Sequence, residues 1–235
     1  MPDFPPLLHG RLTRGEPFAE AVAAASTGCE AGLIVHRSRE DAIEAALVLA
    51  PDVALSDAAA MLLVAGLGFA DAFGALAPPE KALHLDWPGG IRIEGAHAGA
   101  IRAAAPPGSD AEIPEWLVIH LHVAVAVADP REPGARGDVT DLRSEGIDLA
   151  PDDLLAAWAR HTLSWIARWE DAGMGLVHRD WVGRAWGLGA ERTLATPGGT
   201  RSGLYQGLDE RGGMLLKTDA GTVLVPLTEM LERRC

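Results

Sequence analysis

Between Pro151 and Gly173 the chain reads PDDLLAAWARHTLSWIARWEDAG, with apolar residues recurring at three- and four-residue spacing. Leu154, Leu155, Trp158, Thr162, Trp165, Ile166 and Trp169 fall on a single stripe, which predicts an amphipathic helix. Pro151 suits the first turn, the two following aspartates favour the positive helix start, and Gly173 ends it. The same spacing links Met61, Leu62, Ala65, Phe69 and Phe73 in SDAAAMLLVAGLGFADAFGAL, a second long helix with Ser56 as its cap. Gly66 and Gly68 weaken that helix or let another element approach it closely. EPFAEAVAAASTG predicts a shorter helix stopped at Gly28.

Elsewhere the pattern changes. GLIV is a short apolar strand. SREDAIEAALVLAPD reads both ways, helical at its start and strand-like in ALVLA. ALHLDW, GIRIEG and AGAIRAA predict a hairpin followed by a third strand, and EWLVIHLHVAVAVA is a strong β run, long for a single strand. The proline-rich first dozen residues predict an extended arm, and the polar stretch from Asp129 to Leu149 a long connection. After the tryptophan-rich helix, GRAWGLG, TRSGLYQGLD, GMLLKTD and TVLVPL predict short strands, with DERGG and TDAG as turns. The expected class is α+β: a mixed sheet with helices over residues 1–175, and a small all-β unit over 176–235.

Composition narrows the function. The formal net charge of −13, with no basic cluster beyond HRSR and the terminal ERR, speaks against nucleic acid and anionic membranes as partners. No apolar run reaches the roughly 18 residues of a membrane span, and the N-terminus lacks a signal peptide's basic head and apolar stretch. A cytoplasmic protein is expected. Cys29 and Cys235 lie far apart without C-x-x-C spacing, which argues against a disulfide framework or a cysteine zinc site. Cys29 reads as a small, buried or half-buried thiol.

The order DWPGG, AHAGA, VIHLHVA, tryptophan-rich helix, GLYQGLDERGGMLL resembles the biotin/lipoate protein ligase family, from about Gly32 to the end. That family carries K-W-P-N-D before the hairpin turn, and Asp86 to Gly90 lie on those positions, with Trp87 and Pro88 matching outright. Its K-L-A-G-I corresponds to Ala96–Ala100, with Gly99 on the glycine, and its glycine-rich strand to VIHLHVA. The resemblance implies a class II synthetase-like mixed sheet plus an SH3-like β-barrel at the C-terminus. It also implies a chemistry, in which ATP with magnesium adenylates biotin or lipoate and the acyl group passes to a lysine of a carrier domain. No helix-turn-helix signal precedes the first sheet strand, so the DNA-binding domain of repressor-type ligases is not expected.

Under the resemblance, Trp87, Pro88, Gly89, Gly90, Gly99 and Ala100 are binding positions, with Arg37 and Arg39 in the place of the family's Gly- and Arg-rich loop. That loop here has no glycine and is roughly half the family's length. The family lysine is replaced by Ala96 or, with a one-residue slip, His97, and neither Lys81 nor Lys217 lies there. Arg102 is the candidate replacement cation, and with His97 the candidate catalytic residue. His120 and His122 stand where the family has glycines and face one side of their strand, as binding residues that fill ligand space. With His84 and His97 they could bind zinc, but no Asp, Glu or Cys accompanies them in sequence, so neutral, hydrogen-bonded histidines are expected and no metal site is assigned. Three readings stand: a biotin or lipoate ligase; a ligase-fold protein that holds a small carboxylic acid or a carrier domain without adenylation; and a histidine-based metal enzyme. A β-rich C-terminus and a long sheet edge permit a homodimer.

Overall fold

A computed structural model describes residues 1–126 and 138–234. In chain order the elements are β1 (His9–Leu12), α1 (Pro17–Ser26), β2 (Leu33–Ser38), β3 (Ala42–Leu49), α2 (Leu55–Ala58) and α3 (Met61–Leu76). The hairpin region gives β4 (Leu83–Asp86), β5 (Gly90–Ile93), β6 (Ala96–Ala105) and β7 (Leu117–Ala124). Then come α4 (Pro151–Ala172), α5 (Met174–Val182), β8 (Glu191–Thr196), β9 (Gly199–Leu208), β10 (Met214–Thr218), β11 (Gly221–Val225) and β12 (Glu232–Arg233).

The large sheet runs β1-β2-β3-β7-β6-β5-β4, with β12 also paired to β6. β1 and β12 pair in parallel and the other neighbours antiparallel. The N-terminal arm is therefore an edge strand in part, because β1 hydrogen-bonds along β2. The ambiguous segment resolves to strand: β3 sits between two partners, so its long apolar run is buried on both faces.

Strand alternation sends Ile43, Ala45 and Leu47 of β3, and Leu117, Ile119, Leu121 and Val123 of β7, to one face, where α3 and α4 pack. The opposite face carries Ala46, Val48 and Val118, covered by Phe18, Ala21, Val22 and Ala25 of α1. α3 is apolar all round because it is enclosed. The stretch Leu55–Leu76 has a membrane span's length and a mean hydropathy of 1.8, yet 78% of it is buried within the fold. Gly68 permits the close crossing with α4, since a Cβ there would lie 2.8 Å from Thr162 Cα. Trp158 then donates from its indole to Ala65 O at 3.2 Å, and Trp165 to Asp71 Oδ2 at 2.8 Å.

Ser56 does not cap this helical stretch. It lies inside α2, whose start is satisfied instead by loop carbonyls: Leu55 and Ser56 N–H donate to Glu112 O and Asp110 O. The expected strand at GRAWGLG is a run of turns after α5, with a single β-bridge from Ala185 to Leu85.

The expected C-terminal SH3-like barrel is overturned. β8–β11 form an open four-stranded sheet, β11-β10-β9-β8, whose edge strands do not pair. After β11 the chain leaves this sheet at Pro226, makes a 3-10 turn over Leu227–Met230, and returns to the large sheet as β12. The inner side of the small sheet is closed by the main body: Tyr205, Leu208, Met214, Leu216 and Val225 belong to the same hydrophobic core as α3 and α4.

Candidate functional site

The register of the large sheet assembles the candidate site on the face that α1 half covers. Arg37 pairs with Glu44, Ala46 with His120, and Glu44 with His122. Across the next strand, Arg102 lies opposite His120 and Ala100 opposite His122, and Gly90 continues the row beyond Ala100. Because side chains alternate, Arg37, Glu44, His120, His122, Ala100 and Arg102 share one face. Ala42 and Ala124 extend it, so Ala42, Ala124, Ala100 and Gly90 make a low floor between taller polar walls.

α1 rims this floor. Glu16 is its N-cap, accepting from Ala19 N–H at 2.6 Å and Phe18 N–H at 3.3 Å. Phe18 stacks on His120 at 5.0 Å between ring centroids. The guanidinium groups of Arg102 and Arg234 lie 5.0 and 5.1 Å from the Phe18 centroid, two cation–π contacts on one ring.

The arginines are already engaged. Arg37 Nε donates to Glu44 Oε2 at 2.9 Å, and Arg39 Nε to Asp41 Oδ1 at 2.6 Å in the exposed turn. Arg102 Nη1 donates to Glu232 Oε1 at 3.2 Å, which ties the site to the C-terminal strand. Arg102 Nη2 lies 3.4 Å from His120 Nδ1. At the other end of the floor, Asp86 accepts from Arg92 at 2.8 Å and is also bridged by Arg192. Lys81 reaches Glu145 at 4.0 Å, and Lys217 is exposed on β10.

The histidines do not converge. His120 is buried, and its pKa is lowered to about 3, first by burial and then by the charges of Arg102, His122 and Arg37. It is therefore neutral, with Nε2 buried and without a partner. His122 is exposed. His97 is half-buried and carries a lowered pKa, from burial and then Arg92. Its backbone bonds Asp138 and Thr140, holding the end of the long connection against β6. His84 sits edge-on to Trp186 at 5.3 Å. The residues of the long connection at 127–137, and Cys235, lie outside those described. Cys29 is half-buried, and burial pushes its thiol up, as suits a quiet thiol.

The glycine positions act through backbone approach. A Cβ on Gly99 would lie 2.3 Å from His122 O, and one on Gly89 2.2 Å from Ile101 O. Trp87 faces the other way: it is 3% exposed and donates its indole N–H to Gly212 O at 2.8 Å. Pro88 follows it across a cis peptide. Trp87 thus ties the hairpin to the β9–β10 connection of the small sheet rather than lining the floor. Sequence reasoning missed Glu16 and Glu44. Glu16 reads as an ordinary helix start, and Glu44 hid in a segment that also scanned as helix. The signal for Glu44 was an acid inside an otherwise apolar strand.

Residues 4–183 match the biotin/lipoate A/B protein ligase family. The chain belongs to that family. Residues 188–233 match a second one, described as a domain of unknown function (DUF4444). A biotin–[acetyl-CoA-carboxylase] ligase of Paracoccus denitrificans is 28% identical over 191 residues, covering 78% of this chain and 77% of that one. A biotin protein ligase-like protein of unknown function from a Silicibacter species superposes with a TM-score of 0.91 at 44% identity, over 99% of this chain and 100% of its own. The Aquifex aeolicus biotin protein ligase solved in complex with biotin and ATP has the same fold, with a TM-score of 0.72 at 17% identity over 97% of both chains. The ligase-like mixed sheet expected from the sequence is thus the fold of the family. Of the positions expected from the family motifs, Arg37, Gly90, Ala100, Arg102, His120 and His122 share the face described above, Gly99 pairs with Val123 on the opposite face, and Trp87 and the exposed Arg39 stand apart.

Proposed function

We propose that this member of the ligase family binds a small carboxylic acid of the biotin or lipoate type, free or borne on a carrier domain, and does not convert it to an acyl-adenylate. The observation that carries this reading is that the arginines on or beside the floor are all ion-paired within the chain: Arg37 with Glu44, Arg39 with Asp41, Arg92 and Arg192 with Asp86, Arg102 and Arg234 with Glu232. Joining a carboxylate to a triphosphate needs uncommitted positive charge and converging N–H donors at the point of attack. The β2–β3 connection, at 39–41, is too short to fold over an adenylate and contains no glycine. The start of β6 offers Ala96 and a neutral-leaning His97 in place of the family lysine. These residues do not fit ATP and its magnesium.

What remains suits a binder. Ala124, Ala100 and Gly90 are small and only partly buried, which suits a surface that receives an acyl chain or ring. Arg102, half exposed, can exchange Glu232 for a ligand carboxylate at little cost, since exposed ion pairs are worth at most about 1 kcal/mol. Calorimetric titration with biotin, lipoate and octanoate, each with and without Mg-ATP, tests the reading. Binding of one acid, indifferent to ATP and without pyrophosphate release, is expected. Binding that tightens with ATP, or acid-dependent pyrophosphate–ATP exchange, sinks it.

A further inference from the structure

We propose that Glu16, Glu44 and His120 form a binding site for one first-row divalent metal ion, of which Zn2+ is the best match. Ligand atoms of the three side chains all lie within 4.8 Å of one another. They come from three separate elements, the cap of α1, β3 and β7, so the tertiary fold builds the cluster. Among the described residues this is the acid–histidine group close enough to share an ion, and His84, His97 and His122 are not part of it.

The second observation is His120 itself. Its side chain is 3% exposed, and Nε2 is buried, without a hydrogen-bond partner, 3.8 Å from Glu44 Oε1. That gap is too long for a hydrogen bond. It is close to the roughly 3.3 Å between neighbouring ligands of a tetrahedral ion with bonds near 2.0–2.1 Å. A buried polar atom left unpaired costs free energy that a bound ion would recover.

The surroundings hold the ligands in place. Arg37 takes Glu44 Oε2 and so leaves Oε1 turned to His120. Such outer contacts orient metal ligands and tune their affinity. Glu16 is oriented toward the cluster by two helix N–H donors and remains exposed to solvent. Proton accounting balances. With Arg102 against Nδ1, the single imidazole proton sits on Nε2. When the ion takes Nε2, that proton moves to Nδ1, Arg102 withdraws to Glu232, and no proton is gained or lost. An imidazole with two carboxylates suits a borderline ion such as Zn2+. Three protein ligands leave a coordination position for water or an anion. If that anion is the carboxylic acid proposed as ligand, the ion adds positive charge beside Arg102. That step rests on the binding reading, and the metal site does not.

The test uses the untagged full chain, stripped with chelator. Zn2+ is titrated calorimetrically, and Co2+ is followed by its d–d absorption. One ion per chain is expected. Glu44→Gln and His120→Gln should each weaken it by more than the roughly 10–100-fold that loss of an orienting partner costs, and Arg37→Gln by an amount within that range. Glu16→Gln keeps an oxygen for the helix cap and should fold normally, so it serves if the buried variants do not. His161→Ala, on α4, should bind as the parent does. Absence of stoichiometric Zn2+ binding, or binding unchanged in Glu16→Gln and Glu44→Gln, overturns the proposal. The acid titrations are repeated on metal-free protein, so failure of one reading is separable from failure of the other.

Discussion

At the scale of single residues, two glycines of the large sheet and its turn leave no room for an added carbon. Gly99 and Gly89 are set where a Cβ would press on a neighbouring strand's carbonyl, at 2.3 and 2.2 Å. Backbone cannot swing aside as a side chain can, so the strain must spread into β6 and β7. Gly99→Ala and Gly89→Ala should each cost about 1–3 kcal/mol, the usual range for overpacking. Gly74 is the opposite case: it is exposed near the end of α3, with nothing within 4 Å of its would-be Cβ. Gly74→Ala should gain about 0.5–1 kcal/mol from helix propensity. Urea unfolding of the three variants reads both signs, and a neutral Gly99→Ala would contradict the strain expected from a 2.3 Å approach to His122 O.

At the scale of elements, the helix pair α3–α4 is the keel beneath the site. Trp158 is fully buried at its centre, and its indole N–H is satisfied by a carbonyl of α3. Trp158→Ala should therefore destabilise by about 3–5 kcal/mol, as large-to-small changes of buried aromatics do. Trp169→Ala, on the same stripe but only partly buried, should cost clearly less. Denaturant midpoints compare them, and equal losses would contradict the gradient of burial along α4. The stripe, its proline start and its glycine stop were legible because helical period and burial coincide there. So was the β4–β5–β6 hairpin, where turn glycines separate short alternating runs. Less local elements were not. β1 is a strand because β2 offers it an edge, and its four residues are all exposed. α5 begins directly after Gly173, which ends α4 as expected and also turns the chain into a second helix not expected from the sequence.

At the scale of the whole molecule, the small sheet is not an appended module. Its strands have the turns of a barrel in sequence, but whether a sheet closes is decided by what covers its inner face. Here the body covers it: Trp87 bonds Gly212 O, Arg192 bridges to Asp86, and Tyr205 is completely buried. The candidate site escaped the sequence for a related reason. Arg102 looks free along the chain, and only the return of β12 reveals that Glu232 neutralises it. Glu16 and Glu44 meet His120 through long-range pairing that spacing cannot show. Residues on both sides of the expected boundary near 176 share one continuous core. Their stabilities should therefore be linked. Thermal or urea unfolding followed by tryptophan fluorescence and by far-ultraviolet circular dichroism should give coincident, single transitions. Tyr205→Ala, a change in the small sheet, should shift both signals together, because it opens a cavity in the core that α3 also lines. If the β8–β11 sheet instead melted in a separate earlier step, leaving the helix signal unmoved, the large sheet would be the independent unit.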